Sequence, residues 1–302
     1  MSSVAAFQPF MRALIREEQE LGKIRKVEIY TTTLNSFNRF LEGENLPFKE
    51  MTPGLVGRYE QWLAKRHICR NTSSFYMRIL RAVYNQAVER RQTPQRYPFK
   101  HVYTGVGETA KRALPLSTIK QLKSLDLGRT PHLAFARDMF LFSFYTRGMS
   151  FVDMAFLQQE NIRDGRLRYV RRKTGKTLSI RWEPCMQSIV DRYQSQCSGY
   201  LLPILQGDGA DEQSLHRQYK TRIYSVNSAL KTISGILGLQ HAITTYSARH
   251  SWASIAYRKE VPLSVISEGM GHNSEKMTRI YLSSLENAAI DRANCVILEE
   301  LV

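Results

Sequence analysis

The chain has 302 residues, of which 43% are hydrophobic, and its 43 Lys and Arg against 27 Asp and Glu give a net charge of +16. This length is sufficient for two domains with separate cores. No apolar run approaches the ~20 residues of a membrane-spanning helix, and the first residues lack the features of a signal peptide. An integral membrane protein is therefore excluded, and we expect a cytoplasmic protein.

The excess of positive charge is divided evenly along the chain. Residues 1–106 contain 17 basic and 9 acidic residues, and the remainder contains 26 and 18, so that each part carries a net charge of +8. A charge of this size favours a polyanionic partner, with nucleic acid ahead of an anionic membrane surface. We expect both parts of the chain to face the same polyanion.

The cysteines predict neither a disulfide framework nor a zinc site. No C-x-x-C pair occurs, and no pair of histidines lies near a cysteine. The four cysteines are Cys69, Cys185, Cys197 and Cys295.

Residues 5–91 show apolar side chains at helical spacing in four successive segments. Gly22 is a stop signal for the first segment. Thr52 and Pro53 form a start signal for the third, as N-cap and first helical residue. Four helices with short connections predict a small helical bundle.

The segment from Gln92 to about Leu116 contains prolines and glycines without a sustained period, which predicts a domain linker. We place the domains at residues 1–106 and 107–302. Beyond the linker, helical segments precede "RLRYVRRKTGKTLSIRW", whose alternation on both sides of Thr174 and Gly175 predicts a β-hairpin. Helices follow to the end, so the predicted fold is mainly α-helical with a small β-sheet.

Four segments of the second domain occur in a characteristic order, namely "YTRGMSFVD", "RRKTGK", "TYSARHSWAS" and "GMGHNSEKMTRIYL". Together they resemble the tyrosine recombinases of the phage integrase family, some bacterial members of which share the "RGMSFVD" wording. The resemblance covers nearly the whole chain. It implies a SAM-like core-binding domain for the N-terminal bundle, followed by an α/β catalytic domain.

The resemblance assigns roles to residues of the last two segments. Tyr281, nine residues after His272, matches the nucleophile that forms a covalent 3′-phosphotyrosine. His272 matches the histidine that hydrogen-bonds the scissile phosphate, and Arg249 matches the second arginine, whose planar fork suits phosphate oxygens. Tyr246 occupies the position of a further histidine, and its phenol can still donate a hydrogen bond.

The hairpin contains two candidates for the general acid. Lys173 matches the lysine that protonates the leaving 5′ oxygen, and Lys176, on the other side of the turn, is the alternative. A tyrosine nucleophile with cationic neighbours needs no metal, nucleotide or other cofactor.

The first arginine of the family pattern is displaced. Counting back three residues from Asp153, which the resemblance implies to be a structural buttress, leads to Ser150 instead of arginine. Arg147 lies three residues further upstream, and it reaches the same face if a helix extends that far. Arg171 and Arg172 are the alternatives.

The implied partner is double-stranded DNA, with the protein associated with the nucleoid when bound. A stripe of small and apolar residues at 288–301 predicts a terminal helix. The resemblance implies that it docks into a neighbouring protomer of a tetramer on two DNA sites, and packing on its own domain is the alternative. Accessory DNA-bending proteins are further candidate partners.

A single bundle before the catalytic domain favours the recombinase of an invertible or mobile element over a lambda-type integrase with an arm-binding domain. The rival functions are a non-catalytic DNA-binding protein and a type IB topoisomerase.

Overall fold

A computed structural model describes residues 6–107, 113–207 and 210–272, and after these residues 274, 275, 277–279, 282 and 298. The contacts divide the chain into two units, Met1–Thr109 and Ala110–Val302. No helix in the described part is long and apolar enough to cross a bilayer.

The first unit is a four-helix bundle, as predicted. Its core contains fully buried aromatic side chains, with Phe37 and Tyr59 in edge-to-face contact at 5.0 Å between ring centroids. A single 3₁₀ turn at Phe48–Glu50 lies between the second and third helices. The helices are α1 (Phe7–Glu20), α2 (Ile24–Phe40), α3 (Pro53–Lys65) and α4 (Arg70–Glu89).

The predicted start and stop signals of these helices are confirmed. The hydroxyl of Thr52 accepts a hydrogen bond from the Leu55 N–H at 3.2 Å, and α3 begins at Pro53. Gly22 follows the end of α1 with φ +68°, a left-handed conformation that favours glycine. Both signals are local, and this explains why the sequence was sufficient to predict them.

The first part of the predicted linker, residues 92–107, packs on the bundle. Phe99 is buried in the core of the first unit. The side-chain amide of Asn71 on α4 donates to the Gly107 carbonyl at 3.1 Å, and its oxygen accepts from the Gly107 N–H at 2.7 Å. Side chains of α3 and α4 hold this segment, which forms neither helix nor strand between residues 92 and 107.

The second unit combines helices with one small sheet. The long apolar helix α6 lies at its centre, where it packs against α8, α9 and α10. The helices are α5 (Leu116–Ser124), α6 (Pro131–Tyr145), α7 (Phe151–Ala155), α8 (Pro184–Tyr193), α9 (Glu212–Ile236), α10 (Ser247–Arg258) and α11 (Leu263–Gly269). The strands are β1 (Ile162–Arg163), β2 (Arg166–Val170) and β3 (Thr177–Arg181).

The sheet is antiparallel in the order β1-β2-β3, and β2 and β3 form the predicted hairpin. Leu167 and Tyr169 of β2 are buried, opposite Ile180 and Leu178 of β3. Because alternate residues of a strand share one face, the next inward position after Tyr169 is Arg171, at the start of the hairpin turn. The predicted fold class is confirmed, although β1 was not predicted.

Candidate active site

The turn between α6 and α7 carries Arg147. The helix does not extend as far as this residue, since α6 ends at Tyr145, and Arg147 and Gly148 have φ values of +60° and +74°. The Gly148 N–H donates to the Ser143 carbonyl at 2.7 Å, which closes the turn. Two successive left-handed residues end the helix, so Arg147 extends from a turn instead of from a helix face.

Ser150, in the position where the family pattern has arginine, caps α7. Its hydroxyl accepts from the Asp153 N–H at 3.3 Å and donates to Asp153 Oδ2 at 2.6 Å. The other oxygen of this buried carboxylate accepts from the Arg172 N–H at 2.9 Å. Asp153 therefore joins α7 to the hairpin turn, in agreement with the structural role predicted for it.

Arg249, on α10, lies against the turn that carries Arg147. Its side chain is only 2% exposed, with Nη1 donating to the Gly148 carbonyl at 2.8 Å and Nη2 to the Met270 carbonyl at 2.6 Å. A Cβ atom on Gly148 would lie 2.5 Å from the Arg249 Cα. Glycine is thus required for α10 to approach so closely, and the guanidinium connects two separate turns.

His272 follows α11 through a second tightly packed glycine. Gly271 has φ +65°, and a Cβ there would lie 2.9 Å from Cδ1 of Leu178 on β3. The imidazole is 7% exposed, and its Nδ1 is hydrogen-bonded to the Thr278 hydroxyl at 2.8 Å. Glycine allows the loop to lie directly on the sheet, and this contact fixes the backbone position of His272.

The electrostatic environment keeps the His272 imidazole neutral. Its pKa is lowered from 6.5 to about 4. Burial is the largest cause of this shift, and the positive charges of Arg249, Arg171, Lys173 and Lys176 contribute the rest. The same four cations are candidates for binding phosphate. The site therefore combines a neutral hydrogen-bonding ring with concentrated positive charge.

The hairpin turn brings Arg171 to the His272 loop. Arg171 is 7% exposed and its Nη1 donates to the Gly271 carbonyl at 2.9 Å. The guanidinium carbon of Arg172 instead lies 3.7 Å from the centroid of the Phe156 ring. Of the two arginines in the hairpin turn, Arg171 is the one that contacts the loop. Lys173 is exposed in the same turn.

Arg147 also approaches this loop region. A Cβ on Gly269, the last residue of α11, would lie 3.6 Å from the Arg147 Cδ. Tyr246, one turn before Arg249, is 46% exposed and its ring lies edge-to-face with His250 at 4.9 Å between centroids. The structure thus places Tyr246 near solvent at the beginning of α10.

Tyr169 is a site residue that the sequence analysis missed. Burial raises the pKa of its phenol and the Asp153 carboxylate adds to the rise, while Arg249, Arg171 and Arg147 oppose it. The phenol therefore lies within electrostatic range of three arginines. The alternation that predicted the hairpin could have identified it, because Tyr169 is the inward position of β2 that precedes Arg171 at the start of the turn.

Tyr281 lies outside the described residues, as does the predicted terminal helix apart from Leu298. Of its described neighbours, Thr278 and Leu282 are helical and buried, and Arg279 is helical and exposed. The nucleophile assignment therefore depends on the sequence motif.

The described residues form a cationic site of three turns, 147–148, 171–176 and 270–272. Two buried arginines connect these turns by bonding their carbonyls. Fixed guanidinium groups beside a neutral imidazole suit a phosphodiester, whose charge is spread over its non-bridging oxygens. Fold and site together define a helical bundle followed by a mainly α-helical domain that contains this cationic cluster.

Comparison with known families agrees with this class. The phage integrase SAM-like domain matches residues 6–102, and the phage integrase family matches residues 137–288. The chain therefore belongs to the phage integrase family of tyrosine recombinases. No curated protein matches its sequence.

Several solved structures share the fold at low sequence identity. A lambda integrase tetramer bound to a Holliday junction is 14% identical with a TM-score of 0.66, over 93% of this chain and 78% of that chain. The XerH recombinase in a post-cleavage complex with palindromic difH is 15% identical with a TM-score of 0.63, over 87% and 79%. The Tn1549 transposon integrase in complex with a circular intermediate DNA is 13% identical with a TM-score of 0.61, over 91% and 94%.

Proposed function

We propose that this protein is a site-specific DNA recombinase that cleaves and rejoins duplex DNA through a covalent 3′-phosphotyrosine. The observation that carries the proposal is the convergence of Arg249, Arg171 and His272 on the loop 270–272, next to the turn of Arg147. Membership of the phage integrase family supports the same class of reaction.

The reaction exchanges one phosphoester for another. The Tyr281 phenolate oxygen bonds to the scissile phosphorus, and the bond from phosphorus to the 5′ oxygen breaks. The phenol releases its proton to solvent water as it attacks, and Lys173 gives a proton to the departing 5′ oxygen. Since the covalent intermediate retains a phosphodiester, a 5′ hydroxyl of another strand can reverse the step and rejoin the DNA.

The remaining groups stabilise the charge of the transition state. Arg249 is held in one orientation by the carbonyls of Gly148 and Met270, so little reorganisation is needed when phosphate charge develops. Arg147 supplies a further positive charge from the adjacent turn. A neutral His272 donates a hydrogen bond, and Tyr246 is the remaining candidate donor, from the beginning of α10.

The proposed substrate is double-stranded DNA, and the proposed assembly is a tetramer on two DNA sites. The even distribution of positive charge between the two units supports contacts of both with the phosphate backbone. The tetramer of lambda integrase on a Holliday junction is a precedent with the same fold. Transfer of a strand between two duplexes requires at least two active sites, which an oligomer supplies.

A nicked DNA substrate tests this function. A cognate site is first selected from random-sequence duplexes by binding to the wild-type protein, and a nick beside the scissile phosphate then traps the covalent intermediate. We expect a protein–DNA adduct that survives denaturation with the wild type and is absent with Tyr281→Phe.

The other outcomes identify the rival functions. Specific binding without an adduct would assign the protein to the non-catalytic DNA-binding class. Relaxation of any supercoiled plasmid without sequence preference would indicate a type IB topoisomerase.

A series of arginine variants tests the assignment of the first arginine. We expect Arg147→Ala to lower the cleavage rate by ~10²-fold or more, as for loss of a group that stabilises transition-state charge. Arg172→Ala is the matched control, because its guanidinium stacks on Phe156. Normal cleavage by Arg147→Ala would remove Arg147 from the site.

A further inference from the structure

The hairpin turn is built on the backbone of Arg171. The Arg171 N–H donates to the Lys176 carbonyl at 2.9 Å, and the Arg171 carbonyl accepts from the Gly175 N–H at 2.8 Å. The two ends of the turn are therefore joined at this residue. Any displacement of Arg171 also displaces Lys173, two residues later in the same turn.

The side chain of Arg171 connects this turn to a second element. Its buried Nη1 donates to the Gly271 carbonyl at 2.9 Å, across 100 residues of sequence. Gly271 directly precedes His272, and it also packs on Leu178 of β3. The carbonyl that Arg171 binds thus belongs to the loop that carries the imidazole.

A second contact holds the hairpin turn against helix α7. Asp153 on α7 accepts the Arg172 N–H at 2.9 Å. This contact fixes the beginning of the turn against α7 but has no connection to the loop 270–272. Arg171 therefore hydrogen-bonds the turn of Lys173 to the loop of His272, beside the packing of Gly271 on Leu178.

We infer that Arg171 is a positioning residue that holds the general-acid lysine of the hairpin in register with His272. The inference rests on the proposed function, and it goes beyond it by giving Arg171 a role through Lys173 instead of through direct contact with the phosphate. A buried guanidinium is costly to desolvate, and here its planar fork is directed at a backbone carbonyl. Loss of that contact leaves the Gly271 carbonyl without this donor and releases the turn.

Single-turnover cleavage of the nicked substrate measures the effect. We expect Arg171→Ala to lower the rate by about 10–100-fold at saturating protein, the scale of a misplacement of about 1 Å. Arg171→Lys retains one donor and is expected to recover part of the rate. Arg168→Ala is the matched control, because Arg168 is an exposed arginine on the outer face of β2, the strand that leads into the turn.

A substrate with sulfur in place of the bridging 5′ oxygen identifies which step fails. A thiolate leaves without protonation, so a defect in general-acid catalysis is relieved by sulfur. Sulfur should increase the cleavage rates of Arg171→Ala and Lys173→Ala, and we expect this increase to be at least about 10-fold larger than the increase for the wild type. In addition, Arg171→Ala combined with Lys173→Ala is expected to be little slower than Lys173→Ala alone, as for two residues of one unit.

A methylphosphonate at the scissile position tests direct contact with the phosphate. Replacement of one non-bridging oxygen by methyl removes the negative charge of the phosphate. It therefore restores the cleavage rate of a variant that has lost a charge-neutralising residue. Rescue of Arg171→Ala by methylphosphonate and not by sulfur would overturn the inference and assign Arg171 to the phosphate. Rescue by neither substrate would also overturn it, because the residue would then act on the fold as a whole.

The controls separate this inference from the proposed function. An adduct with the wild type that is lost in Tyr281→Phe establishes the reaction before Arg171 is considered. If that adduct forms and Arg171→Ala cleaves normally, only the positioning role fails. If Arg171→Ala does not fold, as judged by circular dichroism, Arg171→Lys carries both substrate tests, with the same expected rescue by sulfur.

Discussion

Substitution of Gly148 by alanine would separate the turn of Arg147 from Arg249. The added Cβ would lie 2.5 Å from the Arg249 Cα and 2.8 Å from its Cβ and Cγ. Because the nearest of these atoms belongs to the backbone of α10, a change of rotamer cannot relieve the overlap. Either α10 or the turn must move, and the hydrogen bond from Arg249 to the Gly148 carbonyl changes with it.

Two contributions determine the size of the effect. A left-handed conformation costs an alanine about 1–2 kcal/mol, and Gly148 has φ +74°. Overpacking of a filled interior costs a further ~1–3 kcal/mol. Together they predict a loss of about 2–5 kcal/mol in the free energy of unfolding of the second unit.

The matched control is Gly165→Ala, in the turn between β1 and β2. Gly165 has φ +66°, and a Cβ there would meet no atom within 4 Å, so it reports the conformational cost alone. Urea denaturation of both variants measures the difference, which we expect to be about 1–3 kcal/mol. If Gly148→Ala were no less stable than Gly165→Ala, the close approach of α10 would not be what requires glycine.

Three further predictions concern charge and hydrogen bonding. Burial holds the pKa of His272 at about 4, below its ordinary 6.5, so the unfolded chain binds this proton first. Stability should therefore fall by up to about 1.4 kcal/mol per unit as pH decreases from about 6.5 to 4, and urea denaturation of His272→Gln at pH 4.5 and 7 should lack this component. Asp153→Ala removes acceptors from both Ser150 and the Arg172 N–H, and it should cost about 1–3 kcal/mol in the same assay, more than the ~1 kcal/mol expected for loss of the cap in Ser150→Ala. The affinity for DNA should decrease linearly with the logarithm of salt concentration in a titration, and each lost phosphate contact should reduce the slope by ~0.9; a flat salt dependence would contradict the phosphate-based interface.

The sequence predicted the elements whose signals are local. Thr52 and Pro53 mark the start of α3, and the alternation around Gly175 marks the hairpin, because caps and turns depend on a few adjacent residues. The end of α6 was not predicted in this way, since "MFLFSFYT" continues its apolar character up to Arg147. What ends the helix is a pair of left-handed residues against which α10 packs, and this contact is distant in sequence.

The same distinction applies to the candidate site. Tyr281, Arg249 and His272 were predicted from a motif with fixed spacing, and Lys173 from its place in a basic turn. Tyr169 carries no such motif, and its environment arises only when β2, α7 and α10 come together. Phe99 was assigned to a linker for a similar reason, because its burial depends on contacts with the bundle.

The serine at position 150 explains why Arg147 and Arg171 extend from turns instead of from the start of α7. The Ser150 hydroxyl caps α7 and also bonds the Asp153 carboxylate that anchors the hairpin. Ser150→Arg would lose both contacts, so positive charge has to approach from other elements. Arg147 extends from the turn that Gly148 allows, and Arg171 from the hairpin. Since turns have less backbone hydrogen bonding than helices, their positions depend on added contacts, and these are the bonds of buried Arg249 and Arg171 to the carbonyls at 148, 270 and 271. Arg249 and Arg171 therefore connect the turns from which the proposed catalytic groups Arg147, Lys173 and His272 extend.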